Sequence, residues 1–191
     1  DVFSAPDLRM TSSQSDATPS VTVDAPSRLH LGFLDPSGSL GRRFASLGMV
    51  IEGFDTRIEM RAAERSGASV ASCLAANVAR PAQERMARYL EVLQRETGLH
   101  APASLQLQAA PPAHSGFGSG TQLALACGRA FCQFHGLDLS TRALAAMLGR
   151  GERSGVGLAG FDQGGLLLDG GPGADGTVAP LISRIGFPDA W

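Results

Sequence analysis

The stretch Pro111–Ala126, PPAHSGFGSGTQLALA, constrains the fold of this chain more than any other segment. Its two prolines end a preceding strand, because proline donates no hydrogen bond to a sheet. Glycines at 116, 118 and 120 permit positive φ angles and a close approach of the backbone. The apolar residues that follow recur at helical spacing, and Ser119 or Thr121 is placed to cap that helix. The segment therefore predicts a glycine-rich loop that leads into the N-terminus of a helix.

Such a loop is a candidate anion site. Its backbone N–H groups and the positive end of the helix dipole face one point, and phosphate is the usual ligand. The alternative is an ordinary Gly/Ser connection without chemical importance, and loop shape alone does not separate the two. His114 lies within the loop, and Phe117 is expected to anchor it in the core. The predicted phosphate-binding residues are Ser115, Gly116, Gly118, Ser119, Gly120 and Thr121.

Composition excludes several classes of protein. The chain has 191 residues, 43% of them hydrophobic and 18% charged, which is typical of a soluble globular domain. A net charge of −2 gives no electrostatic basis for binding nucleic acid. The cysteines lack a CxxC spacing, so we expect neither a disulfide framework nor a zinc site, and Cys127 and Cys132 are expected to be buried. Without a transmembrane-length run or a signal-peptide pattern, we expect a cytoplasmic protein with no membrane partner.

Local patterns indicate an α+β domain. We expect a disordered leader at residues 1–20, a folded domain at 21–186, and the start of a linker at 187–191. Strands are predicted at 21–24, 28–34, 46–52, 56–62, 69–73, 104–108, 166–169 and 178–182, and helices at 79–97, after the loop to 135, and at 141–148. Residues 149–165 are predicted to be a glycine-punctuated loop. We expect an antiparallel or mixed sheet with helices on one face.

Two motifs carry a resemblance to a known family. Pro112–Thr121 resembles the phosphate loop of the GHMP kinase superfamily, and the segment 25–32, APSRLHLG, is similar to the first motif of that superfamily. Two motifs in the right order, about ninety residues apart, are more specific than either alone. The resemblance implies the N-terminal domain of the superfamily, with its ribosomal S5 domain 2-like fold. It also implies a C-terminal domain that is not present in the 191 residues.

A third motif points away from the kinases themselves. In small-metabolite kinases of the superfamily a Ser-Gly-Val-Asp run supplies the catalytic aspartate, and here Ser154-Gly155-Val156 is followed by Gly157. Glycine cannot accept a proton from a substrate hydroxyl. The form without this acid resembles the β-ribofuranosylaminobenzene 5′-phosphate synthases of tetrahydromethanopterin biosynthesis. The segments that carry this resemblance are Arg28–Arg42, His114–Ala126 and Gly149–Gly171.

The synthase resemblance implies a reaction and a set of site residues. 4-Aminobenzoate would condense with 5-phosphoribosyl 1-pyrophosphate, with release of CO₂ and pyrophosphate and with Mg²⁺ as cofactor. A carboxylate would stabilise the cationic ribosyl centre, and arginine would hold the anionic groups. Implied catalytic residues are His30, Asp35 and Asp162, implied substrate-binding residues are Arg28, Arg42, Arg150 and Arg153, and implied metal ligands are Ser119 and Glu152.

Other interpretations stay open at this point. His30 alone is typical of a surface histidine, Asp35 opens a Pro-Gly turn, and Asp162 is placed to cap a Gly-Gly turn. The chain is alternatively an ATP-dependent GHMP small-molecule kinase in which Asp162 or Asp35 replaces the missing acid. A third hypothesis is a non-catalytic homologue that binds a phosphorylated ligand or a partner chain. An apolar face left by a missing half would favour association, including a homodimer.

Overall fold

The computed structural model describes residues 19–39, 41, 43–74, 76–112, 116–151, 155–173 and 177–187. Within these residues the chain forms one six-stranded sheet and four helices. The elements in chain order are β1 (Ser20–Leu34), β2 (Ala45–Ala62), β3 (Gly67–Val70), α1 (Ala76–Thr97), β4 (Ala103–Ala109), α2 (Ser119–His135), α3 (Thr141–Met147), α4 (Val156–Gln163), β5 (Leu166–Asp169) and β6 (Leu181–Ile185). The predicted α+β class is confirmed.

The long strand β2 organises the sheet. β1 pairs with it antiparallel along most of its length, β4 pairs with its C-terminal part, and β5 pairs with its N-terminal part. β6 lies antiparallel to β5, whereas β3 and β4 are parallel and are joined by α1. A parallel pair needs such a crossover, because a tight turn reverses the chain direction and joins only antiparallel strands. The sheet is therefore mixed, as predicted.

The core lies between the sheet and the helices. α2 packs on β1 and β2, α1 packs on β3 and β4, and α4 packs on β1, β2 and β5. Leu125 and Phe131 of α2 and Ile58 of β2 are fully buried. Cys127 and Cys132 are buried as predicted, and burial raises the pKa of both thiols, which makes them poor nucleophiles. Among the described residues, no helix has both the length and the apolar character needed to cross a bilayer.

A bulge in β1 decides which side chains face the helices. The register with β2 shifts between Ala25 and Ser27, where the sequence predicted a break. Val23 and Ala25 are buried in the core, and Arg28, three residues after Ala25, contacts the helices as well. A regular strand would direct positions 25 and 28 to opposite faces, so the extra residue in the bulge reorients Arg28.

Several predicted boundaries need correction. Residues 149–165 are not a continuous loop, because Val156–Gln163 forms α4. Its two internal glycines lower helix propensity, and burial of Val156 and Phe161 compensates for this loss. β6 lies three residues later than predicted, and Ser20 belongs to β1 rather than to a leader. The expectations for residues 1–18 and 188–191 concern positions outside the described residues.

A candidate anion-binding site at the glycine-rich loop

The glycine-rich loop leads into α2, as predicted, but the helix begins differently. Its N-cap is Gly118, in the left-handed region at φ 67° and ψ 18°, and no side chain caps the helix. The prediction that Ser119 or Thr121 is the cap was therefore wrong, because Ser119 is already the first helical residue. Only glycine adopts the left-handed conformation without steric cost. A glycine cap supplies no side-chain acceptor to the first turn of the helix.

The first turn of α2 consequently keeps N–H groups free. The Gly118 carbonyl accepts hydrogen bonds from the amides of Thr121 at 3.1 Å and Gln122 at 3.3 Å. In the described part of the chain, the amides of Ser119 and Gly120 have no acceptor. Two free N–H groups at the positive end of a helix dipole are suited to an anion. The phosphate-binding role of the loop and its ligand remain predictions.

A cavity of about 580 Å³ opens in front of these amides. Its wall consists of the loop residues 116–121, one face of α1, Thr56 of β2, and Arg150. Arg150 was predicted as a substrate-binding residue, and it lies in the wall. Arg85 and Arg88 of α1 also line the cavity and were missed. Their spacing of three residues on a predicted helix was the only sequence signal that placed them on one face.

Polar atoms in the cavity wall lack partners. Thr56 is 1% exposed, and its hydroxyl has no hydrogen-bond partner. The Arg150 Nε atom is also buried without an acceptor, while its Nη2 donates to the Tyr89 hydroxyl at 2.5 Å. A buried polar group without a partner costs about 1–3 kcal/mol. These atoms are therefore unsatisfied hydrogen-bonding groups in the cavity wall.

Phe117 does not anchor the loop in the core, which corrects the prediction for this residue. Its ring stacks on Phe54 with centroids 4.9 Å apart and an interplanar angle of 22°. Phe54 is 45% exposed, and Phe117 lines the cavity. The loop therefore presents an aromatic surface beside its free amides.

Arg28 lies on the other side of the loop, between two glycines. A Cβ atom added to Gly118 would lie 3.0 Å from its Nε, and one added to Gly157 would lie 3.2 Å from both Nε and Nη2. The Nε atom is buried and has no hydrogen-bond partner. Burial lowers the pKa of Arg28, and the Asp169 carboxylate opposes this effect. A buried guanidinium nitrogen without an acceptor is a candidate for anion recognition.

Gly157 lies where the N-terminal ends of α2 and α4 meet beside Arg28. It is the second residue of α4, and its carbonyl accepts a hydrogen bond from Gln122 Nε2 of α2 at 3.1 Å. The absence of a side chain at this position makes room for the Arg28 guanidinium. The space beside Gly157, where the resemblance to the kinases implies an aspartate, therefore holds a cation from β1.

Asp169 is a buried residue that sequence reasoning missed as part of the site. Its carboxylate accepts hydrogen bonds from the amides of Ser46 at 2.8 Å, Gly155 at 2.7 Å, Val156 at 3.2 Å and Gly171 at 3.0 Å. It is fully buried. These bonds fix the start of α4 against β2 and place a negative charge near Arg28. The sequence signal that could have identified Asp169 was its position at the end of a predicted buried strand.

Two predicted catalytic carboxylates are engaged elsewhere. Asp35 Oδ1 accepts hydrogen bonds from the Ser37 hydroxyl and from both the amide and the hydroxyl of Ser39, so it organises the turn between β1 and β2. Asp162 Oδ1 accepts a hydrogen bond from the Thr141 hydroxyl and links α4 to α3. Neither residue lines the cavity. Their catalytic roles remain predictions, and the geometry favours structural ones.

The remaining predicted residues divide into two groups. His30 is exposed, and its ring makes an edge contact with Phe33 at 4.5 Å, away from the cavity wall. Ser115, Arg42, Glu152 and Arg153 lie outside the described residues, as does His114. Within the described ranges, no group of three His, Cys, Asp or Glu side chains is placed to hold a metal ion.

The two perturbed histidines predict a pH effect on stability. Burial lowers the pKa of His30, with the Arg28 charge acting in the same direction, and burial also lowers the pKa of His135. Because the folded pKa lies below the unfolded value of about 6.5, protonation favours unfolding, and this loss of stability sets in as the pH falls below that value. Urea denaturation should show that the free energy of unfolding falls less between pH 7.5 and pH 5.0 in a His30→Gln/His135→Gln variant than in the unmodified protein. An unchanged pH dependence would contradict this prediction.

Sequence comparisons agree with this architecture. Residues 84–170 match the family described as the GHMP kinases N terminal domain. The chain is similar to the β-ribofuranosylphenol 5′-phosphate synthase of Archaeoglobus fulgidus, with 37% identity over 178 residues, which cover 86% of this chain and 53% of that protein. The protein of the same name from Methanothermobacter thermautotrophicus is 29% identical over 181 residues, covering 88% of this chain and 55% of that protein. The chain thus spans about half the length of the curated relatives it matches.

Solved structures show the same fold. The mevalonate kinase of L. major in complex with R-mevalonate aligns with a TM-score of 0.60 and 16% identity, covering 89% of this chain and 53% of that one. Homoserine kinase from Cytophaga hutchinsonii aligns with a TM-score of 0.56 and 18% identity, covering 92% and 54%. At such identities the likeness concerns the fold alone. Together with the match of residues 84–170 to the GHMP kinases N terminal domain, it shows that this chain has the fold of these kinases.

Proposed function

We propose that this chain forms the diphosphate-binding part of a phosphoribosyltransferase that condenses 5-phosphoribosyl 1-pyrophosphate with a 4-substituted benzoate. The observation that carries the proposal is the pair of free loop amides that face the cavity, with Arg28 packed behind the same loop at a position where a kinase needs a carboxylate. An amide-and-guanidinium site binds and stabilises an anion but accepts no proton from a hydroxyl group. The names of the similar synthases support a transfer of this kind.

The proposed reaction breaks one bond at C1 of the ribose and one at the ring carbon of the benzoate, and it joins these two carbons. The ring carbon that bears the carboxylate bonds to C1 of the ribose, and the bond from C1 to pyrophosphate breaks with its electron pair on the leaving oxygen. The bond from the ring carbon to the carboxyl group then breaks, and its electron pair restores the aromatic ring as CO₂ departs. The protein must therefore stabilise a growing charge on pyrophosphate, which is the task of preorganised donors.

Arg28 and the first turn of α2 are suited to that task. The amides of Ser119 and Gly120 are fixed by the helix, and the Arg28 guanidinium is confined between Gly118 and Gly157. Because these groups are already oriented, they need little reorganisation as charge develops on the leaving group.

The acceptor is proposed at the level of a benzoate with an electron-donating group opposite its carboxylate. The similar synthases are named for a phenol product, whereas the resemblance to aminobenzene synthases implies 4-aminobenzoate. A hydroxyl or an amino group at this position raises electron density at the carbon that forms the new bond. The stacked Phe117 and Phe54 offer a ring surface beside the loop for such an acceptor.

Magnesium is a proposed cofactor, and the described oxygen donors fit a limited role for it. Mg²⁺ is commonly held by substrate phosphates and one or two protein oxygens. Ser119, at the first position of α2, and Glu84 of α1 both line the cavity. When bound, the ion would neutralise part of the pyrophosphate charge. The predicted ligand Glu152 lies outside the described residues.

The decisive experiment follows the carboxyl carbon. Protein incubated with Mg²⁺, phosphoribosyl pyrophosphate and carboxyl-labelled 4-hydroxybenzoate or 4-aminobenzoate should release labelled CO₂ only when all components are present. A parallel incubation with ATP in place of phosphoribosyl pyrophosphate should release none. Phosphate transfer from ATP, without labelled CO₂ from either acid, would replace this proposal with the kinase alternative.

Loss of the Arg28 charge should weaken catalysis more than folding. We expect Arg28→Gln to lower kcat by roughly 100-fold, the effect of removing one strong donor from an oxyanion site. Arg95→Gln, on an exposed arginine near the end of α1, is the matched control and should leave kcat unchanged. Equal rates for Arg28→Gln and the unmodified protein would remove Arg28 from the proposed site. Thermal melts of all three proteins separate an effect on catalysis from one on folding.

A further inference from the structure

We infer that the cavity wall formed by Arg85, Arg88 and Arg150 is a second anion subsite, which takes the phosphate at the far end of a ligand whose diphosphate lies on the loop. This inference deepens the proposed function, because it assigns the 5-phosphate of a phosphorylated sugar to a defined part of the same cavity. Of these three residues, only Arg150 was predicted from the sequence to bind substrate.

Arg85 connects the loop to this wall. A Cβ atom added to Gly120 would lie 3.7 Å from Arg85 Nη1, so the guanidinium lies beside the first turn of α2. Its Nε donates to the Pro81 carbonyl at 3.1 Å, which fixes the side chain along α1. The Gly120 amide has no acceptor among the described residues. Arg85 thus borders the space in which a ligand on the loop would lie.

Arg88 and Arg150 extend the positive wall along α1. Arg88 follows Arg85 by three residues, which places it about 5 Å further along the helix. Tyr89 holds Arg150 through the hydrogen bond to its Nη2, and the Arg150 Cζ atom lies 5.7 Å from the centroid of the Tyr89 ring. The buried Nε of Arg150 has no acceptor. An arginine that is anchored and still unsatisfied in this way is preorganised for an anion.

The charge balance of the wall favours a second anionic group. Three arginines and one carboxylate, Glu84, line the cavity. Glu84 already accepts a hydrogen bond from Arg80 at 3.3 Å. The wall therefore carries more positive than negative charge, which favours an anionic group of the ligand beside it. Val78, Pro81 and Ala82 supply an apolar surface in the same wall, against which a sugar ring can pack.

The test compares ligands that carry one or two separated anionic groups. Calorimetric titrations in Mg²⁺ would use pyrophosphate, ribose 5-phosphate, phosphoribosyl pyrophosphate and ATP with the unmodified protein and with Arg88→Gln/Arg150→Gln. We expect the double variant to bind phosphoribosyl pyrophosphate and ribose 5-phosphate about tenfold or more weakly, because it loses charge-assisted hydrogen bonds. Affinity for pyrophosphate and ATP should change by less than about twofold, because they would need only the loop.

Two further variants keep the test independent of folding. Arg95→Gln removes an arginine from α1 outside the cavity and should bind all four ligands normally. Tyr89→Phe keeps every charge but removes the hydrogen bond to Arg150, and it should weaken binding of phosphoribosyl pyrophosphate while leaving that of pyrophosphate unchanged. Equal losses for pyrophosphate and phosphoribosyl pyrophosphate, or no loss for either, would overturn the inference. ATP that binds more tightly than phosphoribosyl pyrophosphate, independently of both arginines, would instead indicate a nucleobase site in the cavity.

Failure of the proposed reaction has a different signature. Selective loss of phosphoribosyl pyrophosphate binding in the double variant, without CO₂ release by the unmodified protein, supports the subsite and contradicts the transferase. CO₂ release with ligand affinities that are insensitive to Arg88 and Arg150 supports the transferase and contradicts the subsite.

Discussion

Gly157→Asp is expected to lower phosphoribosyl transfer at least about 100-fold and to create no kinase activity. A Cβ atom at this position already lies 3.2 Å from Nε and Nη2 of Arg28, so the new carboxylate would form an ion pair with the guanidinium. This ion pair would neutralise the positive charge of Arg28, which we propose stabilises the leaving pyrophosphate. It would also hold the aspartate in its ionised, hydrogen-bonded form, where it is a weak base for a substrate hydroxyl.

Gly157→Ala is the matched control for this change. It adds the Cβ atom without the charge, and its contacts of 3.2 Å with Arg28 and with Thr121 Cγ2 require movements of only a few tenths of an ångström. We expect alanine to reduce the rate much less than aspartate. Labelled CO₂ release and phosphate transfer from ATP should be measured on both variants. If Gly157→Asp transferred phosphate from ATP to a small hydroxyl compound, the expectation that Arg28 pairs with the new carboxylate and prevents it from acting as a base would be wrong.

The second large effect concerns stability. Asp169→Ala should lower the free energy of unfolding by about 4 kcal/mol or more, because four buried amides from three segments lose their acceptor and each costs about 1 kcal/mol or more. For a domain of this size, 4 kcal/mol corresponds to a fall in Tm of about 8–16 °C. Calorimetry and urea denaturation would measure both quantities.

Asp24→Ala provides the comparison for Asp169. Asp24 pairs with Arg57 at 2.6 Å, but the two side chains are 46% and 51% exposed, so its removal should cost no more than about 1 kcal/mol. Asp169→Asn should be intermediate, since one oxygen remains an acceptor while the new NH₂ group faces N–H donors. Similar stabilities for Asp24→Ala and Asp169→Ala would show that the buried carboxylate does not hold the start of α4.

Features with short-range causes were predictable from sequence. Gly136 ends α2 in the left-handed conformation at φ 67°, and the Ser140 side chain caps α3 by accepting from the Ala143 amide. The glycine-rich loop also leads into its helix as predicted, because glycine and proline act on the backbone of their own segment. The N-cap prediction failed because Gly118 reaches a left-handed conformation that leaves neither Ser119 nor Thr121 in the capping position.

Features that depend on distant segments were not predictable. α4 contains two glycines and has a weak local signal, and it is stabilised by burial against β1, β2 and β5 and by the Asp169 carboxylate, which follows it in sequence. The arginines of α1 are ordinary surface residues until β4 and the loop bring α2 beside them.

The sequence by itself located most of the strand residues, although it divided β1 and β2 into two strands each, and it located the glycine-rich loop before α2, because each of these is a property of a few consecutive residues. Only the tertiary structure decided that a bulge in β1 directs Arg28 into the space above Gly157. That contact joins residues 129 positions apart, and it arises from strand pairing and helix packing, which no local pattern encodes.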